Sequence, residues 1–417
     1  VFSSPSGGLT RTRQVWGRSQ GNAGPPQVSL TPAGGGLGIA RPWGRSRGKK
    51  LLGRPGEFLQ SIHSMPRVHV LPSETDLLAD PDENLLKLLR RHQAPIRYSC
   101  KSGECGSCKC VLESGQVKLK KYDPKALPDA QRDSGIILAC RAILSEDITI
   151  RLTDSDDLIA HPERKLLCRV VALEPLTQDI FALRLHIEFA DMEGIPFTFS
   201  AGQYAQIVVE VDGQEIVRDF SMASTPVDAE YDDLLEFHIR RTPTGALSSL
   251  LGSVIRPGAQ LLVRGPMGTS YFRPRHQGPL YAVGGGTGLA PMLSVAQTAL
   301  DNGKLEPVVL FAGFRNQADV YGLEQMEQMR RSYRNFSYHL SLDEAQPGDP
   351  PQAVHRPLAA HLLEQVADFA GSKVYLAGPP GMVEAISASL LERGLPENDL
   401  HADAFYPPAA AELAPAS

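Results

Sequence analysis

Regular alternation of apolar and polar positions begins at Met65. The run "RVHVL" (67–71) has the two-residue period of a strand with one buried face. In "PDENLLKLLRRHQ", Leu85, Leu86, Leu88 and Leu89 fall on one helical stripe, with Asp82 expected as the N-cap. Strand-like "KCVLES" and "GIILACRAILSEDITIRL" follow, and the polar "TDSDDLIAHPERK" predicts a linker over about 153–165. Residues 166 to about 273 carry short β-rich runs, among them "IFALRLHI", "QYAQIVVEV" and "LLEFHIRR", separated by Gly, Pro and acidic turns. Such spacing predicts a small antiparallel β-barrel. Beyond it, "PLYAVGGGTGLAPMLSVAQTAL", "PVVLFAGFR", "GLEQMEQMRRSY" and "KVYLAGPPGMVEAISASLLERG" alternate apolar strands with helical patterns, which predicts a doubly wound parallel sheet. The expected fold class is therefore multi-domain, α+β and α/β, with domains at 65–154, 163–274 and 275–406 and an unstructured tail over 407–417.

The stretch before Met65 differs in kind: it holds nine Lys plus Arg against one acid, Glu57, with runs such as "PAGGGLG" and "RSRGKK". A segment so poor in apolar periodicity cannot bury a core. It is expected to be a disordered leader, read as sequence upstream of a true start at Met65, where the patterned sequence begins; its Arg- and Ser-rich, acid-poor make-up also resembles a transit peptide. The formal net charge is −5 and the folded part carries no strong basic stripe, so nucleic acid is not an expected partner. No secretory signal or run of about eighteen apolar residues is present, and the expected location is cytoplasmic, away from a membrane.

Four of the six cysteines lie within "RYSCKSGECGSCKC" (97–110). A chain of 417 residues needs no covalent staples, and closely spaced cysteines in a reducing compartment are more often metal or redox ligands. Cys100, Cys105 and Cys108 stand at C-x4-C-x2-C, and Cys140 follows on an apolar strand after a gap of thirty-one residues, a spacing that matches the plant-type [2Fe-2S] pattern. Gly103 and Gly106 permit the sharp turns such a loop requires. Zinc is the competing reading, since Cys105 and Cys108 form a C-x2-C pair, but structural zinc usually draws on two separated pairs or on added histidines. Cys110 and Cys168 read as small buried side chains.

Four further motifs carry chemistry. "RDFSMAS" (Arg218 to Ser224) offers a cation for a phosphate, an aromatic ring and a hydroxyl suited to a flavin, and in "TGALSSLL" Gly245, Ser248 and Ser249 are expected to open a helix whose amides face a pyrophosphate. "GGGTGLAPM" (Gly284 to Met292) lies between an apolar strand and a helical pattern, as a phosphate-cradling turn must. "AGPPGM" (Ala377 to Met382) repeats that arrangement at the same sheet edge. A cluster takes one electron at a time and a nicotinamide gives two as a hydride, so a chain with both requires a flavin between them.

Over residues 67–152 the chain resembles plant-type ferredoxin, a β-grasp module, which implies ligand roles for Cys100, Cys105, Cys108 and Cys140. Over 67–406 it resembles the ferredoxin–NAD(P) reductase superfamily, more narrowly the [2Fe-2S] reductase components of bacterial ring-hydroxylating oxygenases. The resemblance implies that Arg218, Phe220, Ser221 and Ser224 belong to the FAD site, Ser221 near flavin N5, and that Gly245 and Ser248 hold the diphosphate. Gly285, Thr287 and Gly288 would approach the dinucleotide, and Gly378, Pro379 and Met382 would close its other side. Within "HADAFYPP", Phe405 is expected to cover the flavin, with Tyr406 as the alternative. Phe220 replaces the commoner Tyr and Ala377 the commoner Cys.

Asp343 and Glu344, after Ser341, would repel a 2'-phosphate and point to NADH, against which Arg315 is the counter-signal. The reading is an NADH-dependent reductase that passes electrons through FAD and a [2Fe-2S] cluster to a terminal oxygenase or ferredoxin, docked on a lip formed by Lys101, Glu104 and Lys109. Two alternatives are the reductase of a radical dehydratase in deoxysugar synthesis, and a non-catalytic zinc module fused to a nucleotide-binding domain.

Overall fold

The computed structural model describes residues 65–152, 159, 161–191 and 194–406; the expectations for 1–64 and 407–417 fall outside these residues. Strands β1 (Arg67–Leu71) and β2 (Thr75–Leu78) form a hairpin that leads to helix α1 (Leu85–Arg91). The four leucines expected on one stripe of α1 are all buried. Its cap is Asn84 and not Asp82: Asn84 Oδ1 accepts from Lys87 N at 3.2 Å, while Asp82 takes a left-handed φ of 57° in the preceding turn. Both residue types favour caps and left-handed turns, so the pattern alone left the position open.

After the cysteine loop come β3 (Lys109–Ser114), β4 (Val117–Leu119), the short helix α2 (Asp129–Asp133), β5 (Ile136–Leu138), β6 (Ala142–Leu144) and β7 (Ile148–Arg151). The sheet order is β2-β1-β7-β3-β5, with β1 and β7 parallel and the other pairs antiparallel, while β4 and β6 form a separate ladder. Helix α1 packs its leucines into a core with Ile137, Leu138, Ala139 and Ile150. This is the β-grasp arrangement.

The second sheet contains β8 (Arg164–Pro175), β9 (Ile180–Ala190), β10 (Tyr204–Val211), β11 (Gln214–Ser221), β12 (Leu234–Arg240) and β13 (Gln260–Met267), with helix α3 (Pro226–Tyr231) before β12. Its order is β11-β10-β13-β8-β9-β12, antiparallel throughout. The Met222 to Phe237 bridge joins the two edges into a barrel. Strand β8 reaches back into the expected linker because Arg164 is an anchor: its buried guanidinium donates to Asp191 Oδ1 at 3.0 Å and to Ile195 O at 2.9 Å. The helix expected at "TGALSSLL" is only a 3-10 turn, Ser248–Leu250, too short to carry a helix dipole.

The third sheet holds β14 (Leu280–Gly285), β15 (Val308–Phe314), β16 (Phe336–Leu342), β17 (Ala353–His355), β18 (Lys373–Gly378) and β19 (Leu400–Ala404). Helices α4 (Leu289–Asp301), α5 (Leu323–Ser332), α6 (Leu358–Gln365) and α7 (Pro380–Glu392) connect them. All neighbours in the order β17-β16-β15-β14-β18-β19 are parallel. Two apolar clusters, one around α4 and one around α6 and α7, cover its faces. The chain leaves β14 to one side and returns on the other as β18, so the topological switch lies where Gly285 and Gly378 end their strands.

Candidate active site

The cysteine loop turns through two left-handed glycines, Gly103 at φ 85° and Gly106 at φ 72°. A Cβ on Gly103 would lie 2.8 Å from the Arg141 side chain, so space as well as backbone angle requires glycine there. Cys100 Sγ accepts from the amides of Glu104 and Cys105, each at 3.4 Å, and Cys108 Sγ accepts from Cys140 N at 3.4 Å. The thiols fall into two hydrogen-bonded pairs, Cys100 with Cys105 and Cys108 with Cys140. In each pair one thiol is held down by its partner's hydrogen bond, Cys100 to about 4 and Cys108 below its ordinary value. The same bonds, with burial, push Cys105 and Cys140 up. Among the described residues no three His, Cys, Asp or Glu side chains converge on one ion. Two thiol pairs with amides aimed at the sulfurs are instead a donor set that fits a two-iron cluster. Cys110 and Cys168 are buried and their thiols are pushed up by desolvation, so they stay protonated.

Three sheets meet at the start of this loop. Tyr98 N donates to Thr269 Oγ1 at 2.8 Å, Tyr204 OH donates to Ser99 O at 3.4 Å, and Ser99 Oγ donates to Asp403 Oδ1 at 2.7 Å. The other carboxylate oxygen of Asp403 accepts from Ser221 Oγ at 3.4 Å. Burial pushes the Asp403 carboxyl up to about 6, with the Ser99 and Ser221 hydroxyls pulling the other way. Lys101 does not sit on an outer lip as expected: its Nζ donates to Asp219 Oδ2 at 3.2 Å and lies 5.1 Å from the centre of the Tyr204 ring, facing the barrel. Sequence reasoning assigned no role to Ser99, Tyr204 or Asp403. The signal available for Asp403 was its place two residues before Phe405.

On the barrel, Arg218 and Phe220 lie on β11 opposite Ile207 and Ala205 of β10. Arg218 Nη1 donates to Val217 O at 2.6 Å, and Phe220 is half-buried against the barrel core. Ser221 ends the strand, while Ser224 is buried, its Oγ accepting from Glu236 N at 3.1 Å and its carbonyl from Ser294 Oγ at 2.7 Å. That places the Ser224 hydroxyl in a strut between elements. At Gly245 a Cβ would fall 2.1 Å from Ser248 Oγ, which in turn accepts from Thr242 N at 3.2 Å.

The two glycine turns of the third sheet touch each other. A Cβ on Gly285 would lie 2.3 Å from Met382 Sδ, one on Gly288 2.1 Å from Ala377 O, and one on Gly378 2.8 Å from Met382 Cε. Gly285, Thr287, Gly288, Gly378, Pro379 and Met382 thus share one sheet edge. Tyr321 OH donates to Gly286 O at 3.2 Å, holding the turn from below. Phe405 N donates to Gly378 O at 2.9 Å and its ring packs on the core of this domain, whereas Tyr406 OH turns away to Glu384 Oε1 at 3.3 Å. Asp343 follows β16, and burial, with the Glu344 charge next, holds its carboxyl above the ordinary value.

Comparison with known proteins agrees with this geometry. Residues 68–145 match the family "2Fe-2S iron-sulfur cluster binding domain", 167–272 the "Oxidoreductase FAD-binding domain" and 282–388 the "Oxidoreductase NAD-binding domain". The chain is 36% identical over 339 residues to the ferredoxin–NAD(P)(+) reductase component of the naphthalene 1,2-dioxygenase/salicylate 5-hydroxylase systems of a Ralstonia species, covering 81% of this chain and 98% of that protein. It is 31% identical to the propane 2-monooxygenase reductase component of Mycolicibacterium goodii, over 82% of this chain and 97% of the relative. Among solved structures, the Amycolatopsis cytochrome P450 reductase GcoB superposes with a TM-score of 0.67 at 30% identity, covering 82% of this chain and 99% of GcoB.

A β-grasp domain with paired thiols, a flavin barrel and a parallel dinucleotide sheet define an iron-sulfur flavoprotein oxidoreductase. The chain belongs to the [2Fe-2S] ferredoxin-containing branch of the ferredoxin–NAD(P) reductase superfamily, among reductases of the ring-hydroxylating oxygenase type. It uses a [2Fe-2S] cluster, FAD and NADH. The zinc module is thereby replaced. No helix of the described residues is long and apolar enough to cross a membrane.

Proposed function

We propose that this chain is the reductase component of a cytoplasmic oxygenase system, delivering electrons from NADH to an oxygenase or to an intermediate ferredoxin. The observation that carries the reading is the meeting of Ser99, Ser221 and Asp403, which brings the cysteine loop, the flavin strand and the end of β19 to one point. FAD, when bound, would supply the conversion between a two-electron hydride and single electrons, and the [2Fe-2S] group would supply one-electron capacity. Cys100 and Cys105 would hold one iron, Cys108 and Cys140 the other, with the amides of Glu104, Cys105 and Cys140 compensating charge on the sulfurs. Phe220 and Ser221 would line the flavin, Arg218 would face a phosphate, and Ser224 would support that strand from behind. Gly245 and Ser248 would admit the diphosphate through close backbone approach.

For the dinucleotide, Gly285, Thr287, Gly288, Gly378, Pro379 and Met382 would line the sheet edge at the topological switch, the glycines there allowing the two turns to pack against each other. Phe405, tied to Gly378, would cover the flavin until the nicotinamide arrives. Asp343 and Glu344 near β16 disfavour a 2'-phosphate by charge, which supports NADH over NADPH. No acid-base group is needed for the transfer, because orientation supplies the catalysis. Domain limits of 65–154, 163–274 and 275–406 suit this division of labour. The relatives named above serve oxygenases, which favours that partner over a radical dehydratase.

Anaerobic addition of NADH to the purified holoprotein tests the reading. Flavin and cluster absorbance should bleach together, and cytochrome c should then be reduced catalytically, with NADPH at least tenfold less effective. A protein whose cluster bands stay unbleached by NADH would refute it.

A further inference from the structure

The ladder β4–β6 and the turn after it lie directly against the cysteine loop. Asp123 N donates to Gly103 O at 3.0 Å, a Cβ on Gly103 would be 3.0 Å from Tyr122 Cβ, and one on Gly106 would be 3.0 Å from Ala126 O. This segment reads "VKLKKYDPKAL", with Lys118, Lys120, Lys121 and Lys125 set against one acid, Asp123. Strand alternation turns Val117 and Leu119 toward the core and Lys118 and Lys120 outward. All four lysines are exposed, and of the four Lys125 alone makes an ion pair among the described residues, at 3.8 Å from Glu384. Arg141, whose backbone carbonyl accepts from Lys120 N at 2.9 Å, lays its side-chain stem against Gly103.

Three acids stand near this charge: Asp123 within the segment, Glu384 beside Lys125, and the loop's own Glu104, which accepts from Ser102 Oγ at 2.8 Å; none of them forms an ion pair with Lys118, Lys120 or Lys121 among the described residues. Asp147 stands at the far end of the ladder, where its carbonyl lies against Gly115 and its carboxylate accepts from Arg67 N at 2.8 Å. Meanwhile the flavin-facing side of the loop is covered by the contacts of residues 98–101. Beside those contacts, the loop is flanked at Gly103 and Gly106 by the lysine-bearing segment.

We propose that the ridge Lys118, Lys120, Lys121 and Lys125 is the docking surface for the electron acceptor, and that this acceptor presents an acidic protein surface to it. The proposal rests on the reading that electrons leave this chain from the cluster. Opposed charge raises encounter rates and aligns the partner beside the cysteine loop, and salt weakens it because all four lysines are exposed.

The test compares the holoenzyme with a Lys118→Glu/Lys120→Glu/Lys121→Glu variant, three exposed changes that spare every cluster, flavin and dinucleotide residue. Two probes are used: cytochrome b5, an acidic haem protein, and cytochrome c, a basic one. Calorimetric titration of the oxidised proteins should give a wild-type Kd for cytochrome b5 at least tenfold tighter than for cytochrome c at low salt, weakening as salt rises. In the variant the order should invert, and NADH-driven reduction of the two haem proteins should follow, while reduction of a neutral quinone stays unchanged. Equal affinities and salt slopes in wild type and variant would overturn the proposal. A cluster that NADH cannot reduce would strike the electron-transfer reading instead, and the calorimetry, which needs no turnover, still decides the docking surface.

Discussion

Asp403 is 9% exposed, with its two oxygens held by serines from two other sheets. Its carboxyl is pushed up to about 6, from about 3.9 in an unfolded chain, first by burial. The charged form is the costly one in the folded protein, so the folded chain binds the extra proton between those two values. Its contribution is thus most favourable below about pH 4 and is lost as pH rises through about 6, on the order of 3 kcal/mol. An Asp403→Asn protein keeps an acceptor for one serine and removes the buried charge. Its melting temperature relative to wild type should climb between pH 4 and pH 7 by scanning calorimetry. A difference that stays flat across that range would mean the carboxylate is not held as the geometry indicates. The residue was legible in the chain as one of "HADAFYPP". Its chemistry was not, because both hydroxyl partners lie more than 180 positions away.

At the scale of elements, helix α1 and the Cys140 segment are a single unit. Asn84 caps the helix through Oδ1, and its Nδ2 donates to Cys140 O at 2.9 Å, Ala142 O at 3.2 Å and Ala139 O at 3.3 Å. An Asn84→Ala change removes the cap and the side-chain donor to Cys140 O and Ala142 O, while Ala139 O keeps Leu86 N, at a cost of about 1–2 kcal/mol. Heating should then release the cluster absorbance at a lower temperature than in wild type. Asn84→Asp keeps the cap acceptor but not the donor, so it should lose the cluster at least as early; cluster retention equal to wild type would show that the three carbonyl bonds carry no weight. The apolar stripe predicted the helix because four leucines at helical spacing have one stable burial. The cap was misplaced by two residues because Asp82 and Asn84 are chemically alike in that role, and only the positive φ at Asp82 separates them. Likewise "TGALSSLL" has a helical pattern, yet the contacts among Gly245, Thr242 and Ser248 stop it after one 3-10 turn.

For the whole molecule, the question is how a cluster domain is held against a flavin barrel. Arg97 donates to Asn398 O at 2.7 Å, Ser99 to Asp403, and Lys101 to Asp219, so alternate residues of one short segment grip the other two domains. Lys101→Glu would set like charges together at that junction. Cytochrome c reduction should fall at least tenfold while ferricyanide reduction, which can draw on the flavin, is retained; stopped-flow traces at the cluster bands would place the loss in the internal transfer. Equal losses with both acceptors would count against a docking role. The chain by itself determined the three domains' types and the four clustered thiols, because burial periodicity and ligand spacing are local properties of sequence. Only tertiary structure decided that Lys101 faces inward, that Asp403 joins three domains, and that the lysine-rich segment 117–127 packs against the cysteine loop. Those outcomes depend on which surfaces come to lie together, and a one-dimensional pattern does not specify contacts between residues hundreds of positions apart.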